Sequence, residues 1–162
     1  MPYRLLLAFA CLAALLHAAP EYPRMGPDIY DPHADGSAQI AAALTQAKAE
    51  HKHVLLKLGA NWCIWCRRLH ATLADNPEVR AALERDFVLV QIDVNQRNGT
   101  KRNAAVNEKY GNPIQHGLPV LVVLDADGRQ LTTQETGALE DGKSGHDPAK
   151  LTAFLGKWAP KR

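Results

Sequence analysis

The sequence has no strong excess of charge of either sign, and it contains few cysteines. Its 162 residues carry a formal net charge of +2, so no strong field favours nucleic acid or an acidic membrane surface as a partner. No Gly-x-Gly-x-x-Gly follows a predicted strand, so there is no flavin or nicotinamide fingerprint, and no small-molecule cofactor is expected. The length fits one domain with its own core.

The cysteines reduce to a single pair if the N-terminus is a cleaved secretory signal. A positive residue precedes an apolar run over 5–16, and Ala18-Ala19 supplies small residues for cleavage. An uncleaved membrane anchor is the alternative, although the run is short for a span of about 20 residues. Removal of a signal at 1–19 would remove Cys11. It would also predict an exported protein, periplasmic or secreted, in which the two remaining cysteines pair by default.

The remaining pair, Cys63 and Cys66, lies where a predicted strand gives way to a predicted helix. The apolar run at 54–58 has the length of a buried strand, whereas Cys66 and Leu69 are at helical spacing. Cys63 is therefore expected at the helix N-terminus, where free N–H groups and the helix dipole favour a thiolate. Closing so short a loop gains about 2 kcal/mol at best. The spacing therefore favours redox chemistry over a structural bridge.

The rest of the chain alternates helical and strand patterns. A proline-containing, extended lead-in covers 20–36, and one folded domain is expected over 37–160. The order is helix, strand, helix, strand, helix, strand, strand, helix, with a helix restart at Asn76-Pro77-Glu78. Strands are predicted at about 53–58, 87–92, 120–124 and 130–133. This order predicts an α/β three-layer sandwich with a mixed central sheet flanked by helices, in which the first two strands are parallel.

The sequence resembles thioredoxin-fold proteins over roughly residues 37–160. The resemblance rests on the string Gly59-Ala60-Asn61-Trp62-Cys63-Ile64-Trp65-Cys66 and on Leu118-Pro119 before a later strand. The string resembles exported thioredoxin-like proteins and the periplasmic domain of the transmembrane disulfide reductase. The resemblance implies the thioredoxin fold and a thiol-disulfide oxidoreductase.

The resemblance also implies roles for individual residues. Cys63 would be the exposed nucleophile and Cys66 the resolving thiol. Pro119 would be a cis-proline facing the disulfide, the backbone of Leu118 would pair with a substrate strand, and Trp62 would flank the groove. The implied partners are disulfide-containing exported proteins and a membrane or soluble thiol protein that donates electrons.

Two features of the sequence bear on the chemistry of the pair. Ile64-Trp65 places no histidine or charged group between the sulfurs, which we interpret as weak thiolate stabilisation and hence a reductase rather than an oxidase. Thioredoxins carry a buried carboxylate six residues before the nucleophilic cysteine, where this chain has Lys57. An ammonium there would lower the pKa values of the thiols. Alternatively, Lys57 extends from the strand end to water.

Two other classes of protein stay open. Cys63, Cys66 and His70 have a spacing that a copper or zinc protein could use. Three further histidines could add a ligand: His51, His53 and His116. Covalent haem is excluded because Arg67, not histidine, follows the second cysteine. The other alternative is a redox-inactive thioredoxin-fold binding module, against which the intact cysteine pair argues.

Overall fold

The computed structural model describes residues 25–161, so the predicted signal at 1–19 and Cys11 lie outside the described residues. The helices are α1 (Gly36–Glu50), α2 (Ile64–Asp75), α3 (Pro77–Asp86), α4 (Ala104–Lys109) and α5 (Pro148–Trp158). The strands are β1 (His53–Gly59), β2 (Phe87–Asp93), β3 (Val120–Leu124) and β4 (Gln130–Glu135). Within this part of the chain, no helix is both long enough and apolar enough to cross a bilayer.

The four strands form one mixed sheet in the order β2-β1-β3-β4. β1 runs parallel to β2, as the strand–helix–strand pattern predicts, and antiparallel to β3. β4 extends the sheet as the antiparallel partner of β3. The cysteine helix therefore starts directly after a central strand, whose neighbours on both sides hold its end in place.

Side-chain caps explain where the longer helices begin. The carboxylate of Asp35 accepts hydrogen bonds from the N–H groups of Ser37 and Ala38 at the start of α1. Asn76 caps α3 in the same way and Asp147 caps α5, each followed by a proline at the first helical position. The helix restart predicted at Asn76-Pro77-Glu78 is confirmed.

The sheet is covered on both faces, which confirms the three-layer sandwich. On one face, Leu56 and its neighbours pack against α1 and α4. On the other, Leu55 packs against α2, α3 and α5. Because side chains alternate along a strand, Lys57 shares the face of Leu55 and lies beneath α2. This alternation brings an amine under the helix that carries the cysteines.

Candidate active site

Cys63 and Cys66 form a disulfide at the N-terminus of α2, with their Cα atoms 5.2 Å apart. Cys63 has extended backbone angles and is the N-cap of the helix. Its Sγ accepts a hydrogen bond from the N–H of Cys66, at 3.1 Å. The predicted position at the helix start is confirmed. An N–H aimed at Sγ and the positive end of the helix dipole both favour a thiolate on Cys63.

The two sulfurs differ in their access to solvent. Cys63 keeps 5% of its surface exposed, whereas Cys66 keeps 0%. Both cysteines pack in a small cluster with Tyr30. Thiol–disulfide exchange needs direct contact between sulfurs, so an external thiol or disulfide can reach the pair only at Cys63.

The loop before β3 faces the disulfide. The peptide bond between Leu118 and Pro119 is cis, as the resemblance implies. The carbonyl oxygen of Leu118 lies 3.6 Å from Sγ of Cys63, and the carbonyl oxygen of Pro119 accepts a hydrogen bond from the hydroxyl of Thr136 at 2.7 Å. The hydrogen bond from Thr136 therefore holds the backbone that lies next to the sulfurs.

Trp62 borders a groove on this side of the pair. Its Nε1 donates a hydrogen bond to Oδ1 of Asn95 at 2.7 Å, and Cζ of Arg97 lies 3.5 Å from the centre of its ring system. The ring forms one wall of a cavity of about 410 Å³ that Ile114 and Leu118 also line. These contacts hold the indole in one orientation beside Leu118.

Trp65 contacts a histidine from a distant part of the chain. The ring of His146 meets Trp65 edge-on, with the centroids 5.8 Å apart, and Cζ of Arg68 lies 4.5 Å from the Trp65 ring. His146 is buried, and neither of its ring nitrogens has a hydrogen-bond partner among the described residues. Burial lowers its pKa. The sequence string between the cysteines contains no histidine, and the fold supplies a neutral one next to it.

Lys57 is completely buried below the cysteine helix. Its exposed fraction is 0%, and its Nζ lies 3.5 Å from the carbonyl oxygen of Cys66. Nζ also lies 4.7 Å from the centre of the Tyr30 ring. Burial, and then the positive charge of Arg67, lower the pKa of Lys57 to about 7. The alternative in which this side chain extends to water is therefore wrong.

A segment at 27–30, which we call the N-terminal strap, packs against the two cysteines. Oδ1 of Asn61 accepts hydrogen bonds from the N–H groups of Ile29 and Tyr30, both at 2.9 Å. Nδ2 of Asn61 donates to the carbonyl oxygen of Tyr30 at 2.9 Å. Nη1 of Arg67 donates to the carbonyl oxygen of Pro27 at 2.8 Å. Two residues that flank the cysteine motif therefore bind the strap, in which sequence analysis finds no functional residue.

The structure does not bring the residues of the alternative metal site together. Within 25–161, no group of three or more histidine, cysteine, aspartate or glutamate side chains is placed to hold a metal ion. His70 instead has its Nδ1 3.2 Å from Oε1 of Gln91, and Nδ1 of His53 lies 2.8 Å from the carbonyl oxygen of Trp158. The histidines thus have separate structural surroundings.

Comparison with known proteins places the chain in a family. A sequence model of the thioredoxin-like family matches residues 35–126. The chain belongs to the thioredoxin-like family. Its structure resembles that of a disulphide isomerase from Xylella fastidiosa Temecula1, with a TM-score of 0.70 and 36% identity, covering 81% of this chain and 96% of that one. The predicted thioredoxin fold is thereby confirmed.

Two curated relatives carry names from the same chemistry. The disulfide bond reductase DsbH of Chlamydia pneumoniae is 26% identical over 159 residues, covering 94% of this chain and 87% of the relative. The thiol:disulfide interchange protein DsbD of Pseudomonas fluorescens is 29% identical over 126 residues, which is 77% of this chain. The chain spans only 19% of the length of that DsbD. These relatives confirm the predicted class, a thioredoxin-like thiol-disulfide oxidoreductase.

Proposed function

We propose that the protein reduces disulfide bonds in exported proteins through a dithiol–disulfide cycle of Cys63 and Cys66. The observation that carries this proposal is the position of the pair. The disulfide caps a helix, and only Cys63 has exposed surface, next to the Leu118 carbonyl and the Trp62 groove. The name of the relative DsbH, a disulfide bond reductase, supports the same direction of exchange.

The cycle follows from thiol–disulfide exchange. The Cys63 thiolate attacks one sulfur of the substrate disulfide, that disulfide breaks, and a mixed disulfide forms while the other substrate sulfur leaves as a thiolate. The Cys66 thiolate then attacks Sγ of Cys63 and releases the second substrate thiolate. The substrate gains two electrons, and the pair returns to the disulfide. A dithiol protein, membrane-bound or soluble, must then reduce the pair again.

The proposed substrate is an extended segment lying along the Leu118-Pro119 loop. The backbone of Leu118 would pair with this segment, which places a substrate sulfur next to Sγ of Cys63. The groove beside Trp62 would receive a neighbouring side chain. Because Asn95 and Arg97 already fix the indole, little conformational entropy is lost when a substrate binds there.

We propose that Lys57 is the proton acceptor for the Cys66 thiol. A group with a pKa of about 7 exchanges protons readily near neutral pH, because both of its forms are populated there. The neutral amine would take the proton of Cys66 before that sulfur attacks Cys63. Lys57 would then fill the role of the carboxylate that thioredoxins carry at this place in their sequence.

We also propose export, with residues 1–19 as a cleaved signal and 37–160 as the thioredoxin-like domain. A pair of cysteines that must be kept reduced in an oxidising compartment needs a dedicated electron donor. Mass measurement of the protein recovered from the periplasm of a Gram-negative host tests this. A mass lower by the first 19 or so residues is expected, and an intact N-terminus contradicts cleavage.

Redox titration of the purified protein tests the direction of exchange. A reduction potential near or below about −250 mV is expected, as for thioredoxin-like reductases. A value near about −120 mV would identify a strong oxidant and contradict our interpretation of Ile64-Trp65.

Trapping variants test the roles of the two cysteines. With Cys66→Ser, a mixed disulfide between Cys63 and the substrate should accumulate, because nothing resolves it. With Cys63→Ser, no adduct should form, since Cys66 is fully buried. Adducts on Cys63→Ser alone would reverse the two roles.

A further inference from the structure

We propose that the hydroxyl of Tyr30 donates a hydrogen bond to the Cys66 sulfur when the pair is reduced, and thereby raises the reduction potential of the protein. This inference rests on the proposed dithiol–disulfide cycle. It assigns a redox-tuning role to the N-terminal strap, which lies outside the segment that the family match covers.

The first observation is that the Tyr30 hydroxyl is buried and unpaired within residues 25–161. Tyr30 is 2% exposed, and its hydroxyl oxygen has no hydrogen-bond partner among the described residues. Buried polar groups in folded proteins are nearly always hydrogen-bonded, because an unpaired one loses its water without replacement. An unpaired hydroxyl in the disulfide form therefore raises the free energy of that form.

The second observation is where this hydroxyl lies. A Cβ atom added at Gly59 would overlap the Tyr30 hydroxyl and would lie 2.7 Å from Sγ of Cys66. Both atoms therefore face the same small space, which the glycine at 59 leaves open. Tyr30 also packs directly against the two cysteines. The Cys66 sulfur is thus an acceptor close to this hydroxyl.

The third observation is that the strap cannot easily carry Tyr30 away. Asn61 makes hydrogen bonds to both the N–H and the carbonyl of Tyr30, and Arg67 holds the strap at Pro27. Both anchoring residues belong to the segment that bears the cysteines. The Tyr30 hydroxyl is therefore held next to the Cys66 sulfur in either redox state.

The redox state of the pair decides whether the hydrogen bond forms. A donor dithiol attacks Sγ of Cys63, the Cys63–Cys66 bond breaks, and its electron pair leaves on Cys66 as a thiolate. The second donor thiolate then displaces Cys63, so the donor is oxidised to a disulfide by two electrons. A thiolate accepts hydrogen bonds far better than a disulfide sulfur does. Tyr30 keeps its proton, because burial and then the charge of Asp93 raise its pKa well above its usual value.

Tyr30→Phe tests the inference, because it removes the oxygen and keeps the ring. The equilibrium with a glutathione redox buffer should shift about tenfold toward the disulfide, a potential lower by about 30 mV. Tyr110→Phe is the matched control. Tyr110 is 4% exposed and its hydroxyl also lacks a partner among the described residues, but it packs with α1 and α4 on the opposite face of the sheet. This control should leave the equilibrium within about twofold of the wild type.

A second variant tests the same inference without changing Tyr30. Asn61→Ala removes the hydrogen bonds that hold Ile29 and Tyr30 without touching the sulfurs, and it should shift the equilibrium in the same direction as Tyr30→Phe. The free energy of unfolding of each variant is measured in both redox states. The shift in potential must reappear as a smaller stability of the reduced form relative to the oxidised form.

The outcomes separate this inference from the proposed function. A wild-type pair that does not exchange with glutathione at all overturns the dithiol cycle and this inference together. A wild-type pair that exchanges, with a Tyr30→Phe equilibrium within twofold of it, overturns only the role of Tyr30. Equal shifts in Tyr30→Phe and Tyr110→Phe also overturn it, because they would reflect the loss of any buried hydroxyl.

Discussion

Replacement of Lys57 by methionine should stabilise the oxidised protein by an amount that depends on pH. The fully buried ammonium has a pKa of about 7 in the folded chain against an ordinary value of 10.5. Between these two values the unfolded chain binds more protons than the folded chain, so the stability of the wild type rises with pH. From these two pKa values, burial of Lys57 lowers the free energy of unfolding by about 4 kcal/mol at pH 7 and by about 2 kcal/mol at pH 9.

Denaturant unfolding of the oxidised wild type and Lys57→Met at pH 7, 8 and 9 measures this penalty. The variant should be the more stable protein at pH 7, and its advantage should fall by about 2 kcal/mol by pH 9. The histidines that interact with Lys57, His70 and His146, have pKa values lowered by burial and stay neutral throughout this range. Arg67 is the other charged group that acts on Lys57, and it is present in both proteins.

Lys101→Met serves as the control, because Lys101 is an exposed lysine in the loop after β2. Its effect on stability should not vary over the same pH range. A stability difference between wild type and Lys57→Met that is constant from pH 7 to 9 would refute the reasoning. The proposed proton transfer is tested on the same variant: the pH profile of thiol alkylation should move, and an unmoved profile would leave Lys57 with no role in the chemistry.

Two further predictions concern the immediate surroundings of the sulfurs. Trp65→His should raise the reduction potential, since a histidine between the cysteines stabilises the thiolate. Each tenfold change in the equilibrium constant corresponds to about 30 mV in the redox titration. An unchanged potential contradicts our interpretation of Ile64-Trp65. Gly59→Ala should destabilise the protein by about 1–3 kcal/mol, because the added methyl overlaps the Tyr30 hydroxyl and crowds the Cys66 sulfur. Urea unfolding measures this loss, and wild-type stability would show that the space is larger than we describe.

The secondary structure is predictable from the sequence because its signals are local. Asn76-Pro77 and Asp147-Pro148 each place a capping side chain and a proline at a helix start, and both helices begin there. The apolar runs at 54–58 and 120–124 become the two central strands, which are buried on both faces. Each of these features depends only on residues close together in the sequence.

The contacts around the sulfurs are less predictable, because they join distant parts of the chain. Asn61 and Tyr30 are 31 residues apart, and no periodicity connects them. His146, in the segment between β4 and α5, contacts Trp65 through the tertiary fold alone. The cis peptide before Pro119 is anticipated from family resemblance and not from pattern, since only about 5% of such bonds are cis in folded proteins.

Lys57 shows how a single position can mislead. A lysine near a strand end is commonly taken to reach solvent along its aliphatic stem. Strand alternation places it with Leu55, on the face that three helices cover, and that information is present in the sequence. The sequence does not show that the helices cover Lys57 completely, and only the packed structure supplies that fact.

The hydrogen bonds from Asn61 and Arg67 to the N-terminal strap determine how far the N-terminus can be shortened with the active site intact. A shortened chain starting at residue 37 would keep every strand, and almost all of each helix, yet it would lose Tyr30 and the cover over Cys66. Its inner sulfur would then be open to water and oxidants, although its circular dichroism would look native. Truncations, fusions and crystallisation variants of this protein should therefore begin no later than Pro27.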